Sequence, residues 1–184
     1  MRVFVTGATG WIGSAIVKDL IAAGHQVLGL ARSDAGAKAV AAAGAAVHRG
    51  TLQDLDSLKA GASQTDGVIH TAFNHDFSKF AENGADEQRA IAAIGTVLEG
   101  SNRPFIVTSG VALLAPGSVA SEETQARGDH AIPRNPESAV AALTARGVRA
   151  AVVRLPPSVH GHGDHGFVPR IIACAREHGV SPYV

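Results

Sequence analysis

Three glycines spaced three residues apart stand near the start of the chain. Gly7, Gly10 and Gly13 lie between a short apolar run, residues 3–5, and an apolar face of helical spacing. Glycines at such a junction allow a tight turn, close approach of the backbone to a pyrophosphate, and close packing of the helix. The helix N-terminus then directs N–H donors at the anion. The pattern predicts a dinucleotide-binding turn with contacts from Gly7, Thr9, Gly10, Trp11, Ile12 and Gly13.

A second concentration of reactive groups follows the last strand-like segment. His160, His162, Asp164 and His165 fall within six residues of each other. Neutral imidazoles and a carboxylate can ligate zinc. These groups share one glycine-rich segment, however, whereas metal ligands usually come from separate, rigid elements, so we expect no metal. The simpler interpretation for His162 and His165 is a substrate-pocket loop with no role in proton transfer.

Alternating strands and helices must position these groups. Gly24, Gly44 and Gly147 each end a helical stretch just before a strand-like run, where a left-handed C-cap favours glycine. The alternation predicts an α/β fold with a doubly wound parallel sheet, forming one domain over residues 1–184. The predicted strands are residues 3–5, 27–30, 45–48, 67–70, 105–108 and 149–155, and the predicted helices lie near residues 12–21, 35–43, 54–60, 87–99, 136–145 and 168–178.

The amino-acid composition limits the kinds of partner that the protein is expected to bind. Sixteen basic and sixteen acidic residues cancel, so no global field attracts nucleic acid or an anionic membrane, and a small-molecule partner is expected. Cys174 is the single cysteine, which excludes an internal disulfide. No apolar run approaches the roughly 20 residues of a membrane span, and no secretory segment is recognised. We therefore expect a cytoplasmic protein.

Several segments beyond the glycine turn resemble the extended and atypical branch of the short-chain dehydrogenase/reductase superfamily, also called the NAD-dependent epimerase/dehydratase family. The matching segments are residues 24–27, 68–72, 106–110 and 153–161, together with 6–13. The resemblance implies an NAD(P)-binding Rossmann fold and an oxidoreductase acting on a small carbonyl, alcohol or sugar-like substrate. It also implies that Thr71, Ala72, Phe73, Thr108 and Pro156 line the cofactor.

The end of the second strand bears on the choice of cofactor. An acidic residue there binds the ribose 2′-OH of NAD, whereas an arginine accommodates the 2′-phosphate of NADP. Ala31 stands at the position where NAD-binding folds carry the acidic residue. Arg32 and Ser33 supply a cation and a hydroxyl that could bind the 2′-phosphate, so we predict NADP. Asp34 could still reach a ribose, which keeps NAD as an alternative. Relatives commonly carry an aspartate near the adenine, and the corresponding residues here are Thr51 and Leu52.

The family's usual catalytic pair is missing. Most members use a Tyr and a Lys four residues later, on the helix before the sixth strand, but residues 133–139 contain neither, and the single tyrosine is Tyr183. Ser109 is predicted to polarise a carbonyl. His160, standing where relatives often carry a Tyr beside the nicotinamide, or Glu137 would take the proton role. For Glu137 the alternative is a structural surface charge near a helix N-cap.

Two further expectations follow. The missing Tyr and Lys favour a second function, a non-catalytic dinucleotide-binding sensor or regulatory module. A third interpretation is a decayed domain that binds nothing well. Extended relatives continue for roughly another hundred residues, so residues 155–184 are expected to begin a substrate-binding portion that is otherwise largely missing. An uncovered sheet edge would also favour a homo-oligomer.

Overall fold

The computed structural model describes residues 1–114, 117, 119–126, 133–164 and 166–181. Its centre is a six-stranded sheet with the order β3-β2-β1-β4-β5-β6, in which every neighbouring pair is parallel. This confirms the predicted doubly wound parallel sheet. The strands are β1 (Arg2–Thr6), β2 (Gln26–Ala31), β3 (Ala46–Arg49), β4 (Gly67–His70), β5 (Phe105–Gly110) and β6 (Ala150–Leu155).

Within the described ranges, six α-helices connect and follow the strands, as the apolar spacing predicts. They are α1 (Trp11–Ala22), α2 (Asp34–Ala42), α3 (Leu55–Ser63), α4 (Phe80–Leu98), α5 (Pro136–Thr144) and α6 (Phe167–His178), with short 3₁₀ turns at Phe77–Lys79 and Val111–Leu113. Gly24, Gly44 and Gly147 have φ of 80°, 86° and 82°, which confirms them as left-handed residues after α1, α2 and α5.

Two hydrophobic clusters lie on opposite faces of the sheet. The larger joins Phe4, Val68 and Phe105 to side chains of α3, α4 and α5. The smaller joins Val5 and Val27 to α1 and α2. Because the strand order reverses between β1 and β4, the chain leaves these two neighbours toward opposite sides, and a crevice opens at their carboxyl ends. The glycine turn lies at that point.

Helix α4 begins seven residues earlier than the sequence predicts, at Phe80 instead of Glu87. Its first two turns carry few apolar residues, and three of their polar residues, Asn83, Asp86 and Glu87, are buried. Buried polar positions break the apolar periodicity on which the prediction depended. The start of α4 is therefore held by polar contacts that only the folded structure reveals.

Side chains near the carboxyl end of the described chain are more exposed to solvent than those of the rest of the fold. No residue of α6 is buried, and Phe167, Ile171 and Val153 on β6 are exposed apolar side chains. Within the described residues, no helix has the length and apolar character needed to cross a membrane.

Candidate dinucleotide site at the carboxyl edge of the sheet

The glycine turn packs directly against the end of β4. Gly7 has φ of 70°, and a β-carbon there would lie 2.6 Å from Thr71 Oγ1. A β-carbon on Gly13 would overlap the carbonyl oxygen of Gly7. Thr71 Oγ1 donates to the carbonyl oxygen of Thr6 at 2.9 Å and ties the two strand ends together. The turn thus accepts only glycine at two of its three predicted positions.

The N-terminus of α1 is open to an anion. Its N-cap, Gly10, contributes no side-chain cap, and no acidic residue lies in the first turn. The backbone N–H groups of that turn therefore point outward with the positive end of the helix dipole. Trp11 and Ile12 are half-buried and Thr9 is exposed. This geometry suits a pyrophosphate.

The histidine-rich segment after β6 lies beside the same turn. A β-carbon on Gly161 would lie 3.3 Å from the Trp11 ring, and one on Gly163 would lie 3.9 Å from it. The structure therefore brings two separate predicted regions together: the first helix and the segment after the sixth strand. His160, His162 and Pro156 are exposed.

The geometry of this segment bears on whether it could ligate a metal. Across the residues that the structure describes, no three His, Cys, Asp or Glu side chains are grouped as metal ligands. Asp164 Oδ1 accepts from the backbone N–H of Gly166 at 2.7 Å, at the start of α6. His165 and Tyr183 lie outside the described residues.

The loop after β2 carries the predicted cofactor-selecting residues. Arg32 is exposed, and Ser33 is the N-cap of α2, with its Oγ accepting from Gly36 N at 3.1 Å. Arg49, at the end of β3, donates to Ser33 O at 2.6 Å and to Asp34 Oδ1 at 2.7 Å. Arg49 was missed from the sequence because it approaches the β2 loop only through strand pairing.

The residues after β3 have local structural contacts. Thr51 is exposed, and its Oγ1 accepts from Asp54 N at 3.3 Å. Leu52 is partly buried against the larger core cluster. Both lie beyond the carboxyl end of β3, at the edge where the resemblance expects the adenine.

The residues after β4 line the crevice beside the glycine turn. Thr71, Ala72 and Phe73 are half-buried. The Arg134 guanidinium lies 4.4 Å from the centroid of the Phe73 ring, within the range of a cation–π contact. Phe73 also packs edge-on against Phe80.

The same arginine that contacts Phe73 forms a buried ion pair with Glu87. Arg134 Nε and Nη2 donate to the two carboxylate oxygens of Glu87 at 2.8 and 2.6 Å. Only 1% of the Glu87 side chain and 18% of the Arg134 side chain are exposed. Burial raises the pKa of Glu87, and the hydrogen bonds from Arg134 oppose that rise. The pair joins α4 to the residue before the N-cap of α5.

His70, at the end of β4, is fully buried close to this pair. Its Nδ1 lies 2.9 Å from Thr6 Oγ1, and its Nε2 has no hydrogen-bond partner among the described residues. Burial, with the charge of Arg134 as the smaller cause, lowers the pKa of His70 from 6.5 to about 3. The imidazole is therefore neutral at neutral pH. Thr108 is also buried, and its Oγ1 donates to the His70 carbonyl oxygen at 3.2 Å.

The structure brings Ser109 and Glu137 together, in contact with Arg154. Ser109 is 3% exposed, and its hydroxyl donates to Glu137 Oε1 at 2.8 Å. Arg154 donates to both carboxylate oxygens of Glu137, at 2.9 and 2.7 Å. These hydrogen bonds, with that from Arg154 the largest cause, lower the pKa of Glu137. Both oxygens of Glu137 are thus already occupied by partners within the fold.

A family model described as NAD dependent epimerase/dehydratase family matches residues 3–182. The chain belongs to this family. That membership agrees with the resemblance found in the sequence, and it supports a nicotinamide dinucleotide as the class of cofactor for the glycine turn.

Individual relatives and structures agree with this assignment. The chain is 50% identical to an uncharacterized protein of Schizosaccharomyces pombe, over 100% of this chain and 63% of the relative. It is 29% identical to a 4-hydroxy-2-methyl-3-oxo-4-farnesyl-3,4-dihydroquinoline-1-oxide ketoreductase of Stigmatella aurantiaca, over 96% of this chain and 55% of that protein. The chain therefore spans less than two thirds of the length of these relatives.

The fold resembles that of a UDP-glucose 4-epimerase of Thermus thermophilus in complex with NAD. The TM-score is 0.71 at 21% identity, over 95% of this chain and 61% of that one. At this level of identity the likeness concerns the fold alone.

We predict that Glu87 and Arg134 act as one unit in stability. Glu87→Met and Arg134→Met should each lower the free energy of unfolding by about 3 kcal/mol or more, because each leaves its partner as an uncompensated buried charge. The double variant Glu87→Met/Arg134→Met should be more stable than either single variant. Urea unfolding followed by circular dichroism gives the double-mutant cycle. Additive losses from the two single variants would show that the pair is not coupled.

We also predict a contribution of His70 to acid lability. Unfolded His70 binds a proton near pH 6.5, whereas the folded residue does so only near pH 3, so stability is lost as pH falls through this interval. Each pH unit within it should cost about 1.4 kcal/mol. In His70→Asn this contribution to the dependence of stability on pH should disappear, and it should do so even where the substitution also lowers stability through lost packing. Exposed His178→Gln is the matched control, and an unchanged slope in His70→Asn would refute the assignment.

Proposed function

We propose that this chain is the cofactor-binding part of an NADP-dependent oxidoreductase that acts on a small carbonyl, alcohol or sugar-like substrate. The observation that carries the proposal is the contact between Gly7, Gly13 and Thr71, which leaves the N-terminus of α1 open at the switch point of the sheet. The family match supports the cofactor class. The activity of the whole protein, for which relatives use a longer chain, is part of this proposal.

NADP is proposed over NAD because of the residues after β2. Ala31 is the last residue of that strand and is 2% exposed, so no carboxylate stands where one would accept the ribose 2′-OH. Arg32 and Ser33 follow at once, and Arg32 is exposed to solvent. A cation there favours the 2′-phosphate.

The proton role is proposed for His160. The nicotinamide exchanges a hydride with the substrate carbon, and reduction of a carbonyl also requires a proton at its oxygen. Glu137 is less suited, because Arg154 lowers its pKa and both carboxylate oxygens are bonded. Ser109 is committed to Glu137, so its polarising role requires that hydroxyl to change partner. His160 is exposed beside the segment that contacts Trp11.

A second candidate function is a non-catalytic dinucleotide-binding module. It is favoured by the start of α5, where residues 133–139 supply neither Tyr nor Lys. Binding does not need that pair, whereas the usual proton transfer of the family does. The cytoplasm is proposed as the location of either function, because the chain has a single cysteine.

Cofactor binding is tested by thermal unfolding with matched concentrations of NADPH and NADH. NADPH at about 100 times its dissociation constant should stabilise the protein by about 2.7 kcal/mol, since it binds only the folded state. Gly10→Val should abolish this shift, because a side chain would fill the approach to the helix N-terminus. Gly166→Val, at the N-cap of α6, is the matched control. If the chain folds but neither nucleotide raises its melting temperature, the proposal is overturned and a decayed domain is favoured.

The proton role is tested by NADPH oxidation with a panel of aldehydes and ketones. His160→Gln should lower kcat about a hundredfold, the scale of a lost general acid, and leave NADPH affinity unchanged. Glu137→Gln should mainly lower stability, with kcat of the folded fraction retained. The opposite pattern would assign the proton to Glu137. Binding of NADPH without any turnover by the parent chain would instead support the non-catalytic module.

A further inference from the structure

Arg49 lies beside the proposed 2′-phosphate position although it comes from a different strand. In the β2–β3 pairing, Ala31 is opposite Arg49, so the arginine at the end of β3 stands level with the last residue of β2. Its guanidinium reaches across the loop after β2, to Ser33 O and Asp34 Oδ1. About half of its side chain, 51%, is exposed. Arg49 is therefore held over this loop and accessible to a ligand.

The loop after β2 lies near the glycine turn. Arg32 begins this loop, Ser33 is the N-cap of α2, and the first turn of α2 lies against the glycine turn, because a β-carbon on Gly36 would be 3.5 Å from the Thr9 methyl. A dinucleotide whose pyrophosphate occupies the glycine turn would thus bring its adenine ribose toward this loop. The loop carries Arg32 itself, and Arg49 reaches it from the neighbouring strand.

Asp34 is the one carboxylate that contacts this arginine among the described residues. It lies at the start of α2 with 91% of its side chain exposed, and its Oδ1 accepts from Arg49. In the free protein the pair neutralises both charges. A 2′-phosphate competes with Asp34 for Arg49, whereas a 2′-hydroxyl brings no charge to compete.

We propose that Arg49 is a specificity-determining residue for NADP, acting as the second cation on the 2′-phosphate, with Asp34 as the carboxylate that the phosphate displaces. This inference rests on the proposed function. It adds a residue from β3 to the selectivity assigned to Arg32 and Ser33. Arginine suits the task because its planar donors bind a phosphate in bidentate fashion and keep their charge.

The experiment measures binding of NADPH and NADH by quenching of Trp11, the only tryptophan of the chain. Displacement by 2′,5′-ADP and by ADP then isolates recognition of the 2′-phosphate. Arg49→Gln should weaken NADPH and 2′,5′-ADP about tenfold, the scale of one lost charge-assisted hydrogen bond. The dissociation constants for NADH and ADP should stay within about twofold of those of the parent chain. Arg49→Lys should restore part of the loss.

Two further variants sharpen the result. Asp34→Asn should tighten NADPH a few-fold, because Arg49 is then free and a repelling charge is gone. Arg146→Gln is the matched control, since Arg146 is another half-exposed arginine, paired with Glu99 at 2.5 Å beyond the C-terminal ends of α4 and α5. Arg146→Gln should change the affinity for neither NADPH nor NADH.

The outcomes separate this inference from the proposed function. If neither nucleotide binds the parent chain, the proposed function fails. If NADPH binds but Arg49→Gln weakens NADPH and NADH equally, Arg49 holds the loop without reading the phosphate, and the inference fails alone. Equal affinity of the parent chain for NADPH and NADH would also overturn it.

Discussion

Helix α1 can begin against the ends of β1 and β4 only because Gly13 has no side chain. The carbonyl of Gly7 occupies the space that a β-carbon on Gly13 would need, and Gly7 in turn lies against Thr71. The hydroxyl of Thr71 closes the contact by bonding to the Thr6 carbonyl. The position of helix α1 against the ends of β1 and β4 thus depends on one close backbone contact. The backbone N–H groups at the start of α1 are therefore fixed in position by this contact.

Two buried or half-buried arginine–carboxylate pairs join α5 and the residue just before its N-cap to the rest of the fold. Arg134 joins Glu87 of α4 to the start of α5, and Arg154 joins β6 to Glu137 of α5. Both pairs are bidentate, which fixes orientation as well as distance. Charges that face each other in this way serve to position the elements. His160 and His162, which follow β6, take part in neither pair and are exposed to solvent.

Most of the fold was predictable because its signals are local. Apolar periodicity located all six strands, and glycines marked the ends of helices, since a left-handed residue is required there. The glycine turn was predictable for the same reason. The start of α4 was not, because the residues before Glu87 are held by polar contacts with distant parts of the chain, such as that of buried Asp86 with Gln53, 33 residues earlier. Arg49 was missed likewise, since its place beside Ser33 depends on the register of β3 against β2.

The same distinction explains why nucleotide binding is better supported than catalysis. An anion site at a helix N-terminus needs backbone geometry, which the glycines specify, and the sequence matches the family model along residues 3–182. Proton transfer needs a particular side chain in a particular environment, and the environment of each candidate is set by distant partners. Glu137 illustrates this: in the sequence it is a carboxylate at the start of a helix, and in the structure it is bound by Ser109 and Arg154. A catalytic role can therefore be argued only after such partners are known, and here they occupy both carboxylate oxygens of Glu137.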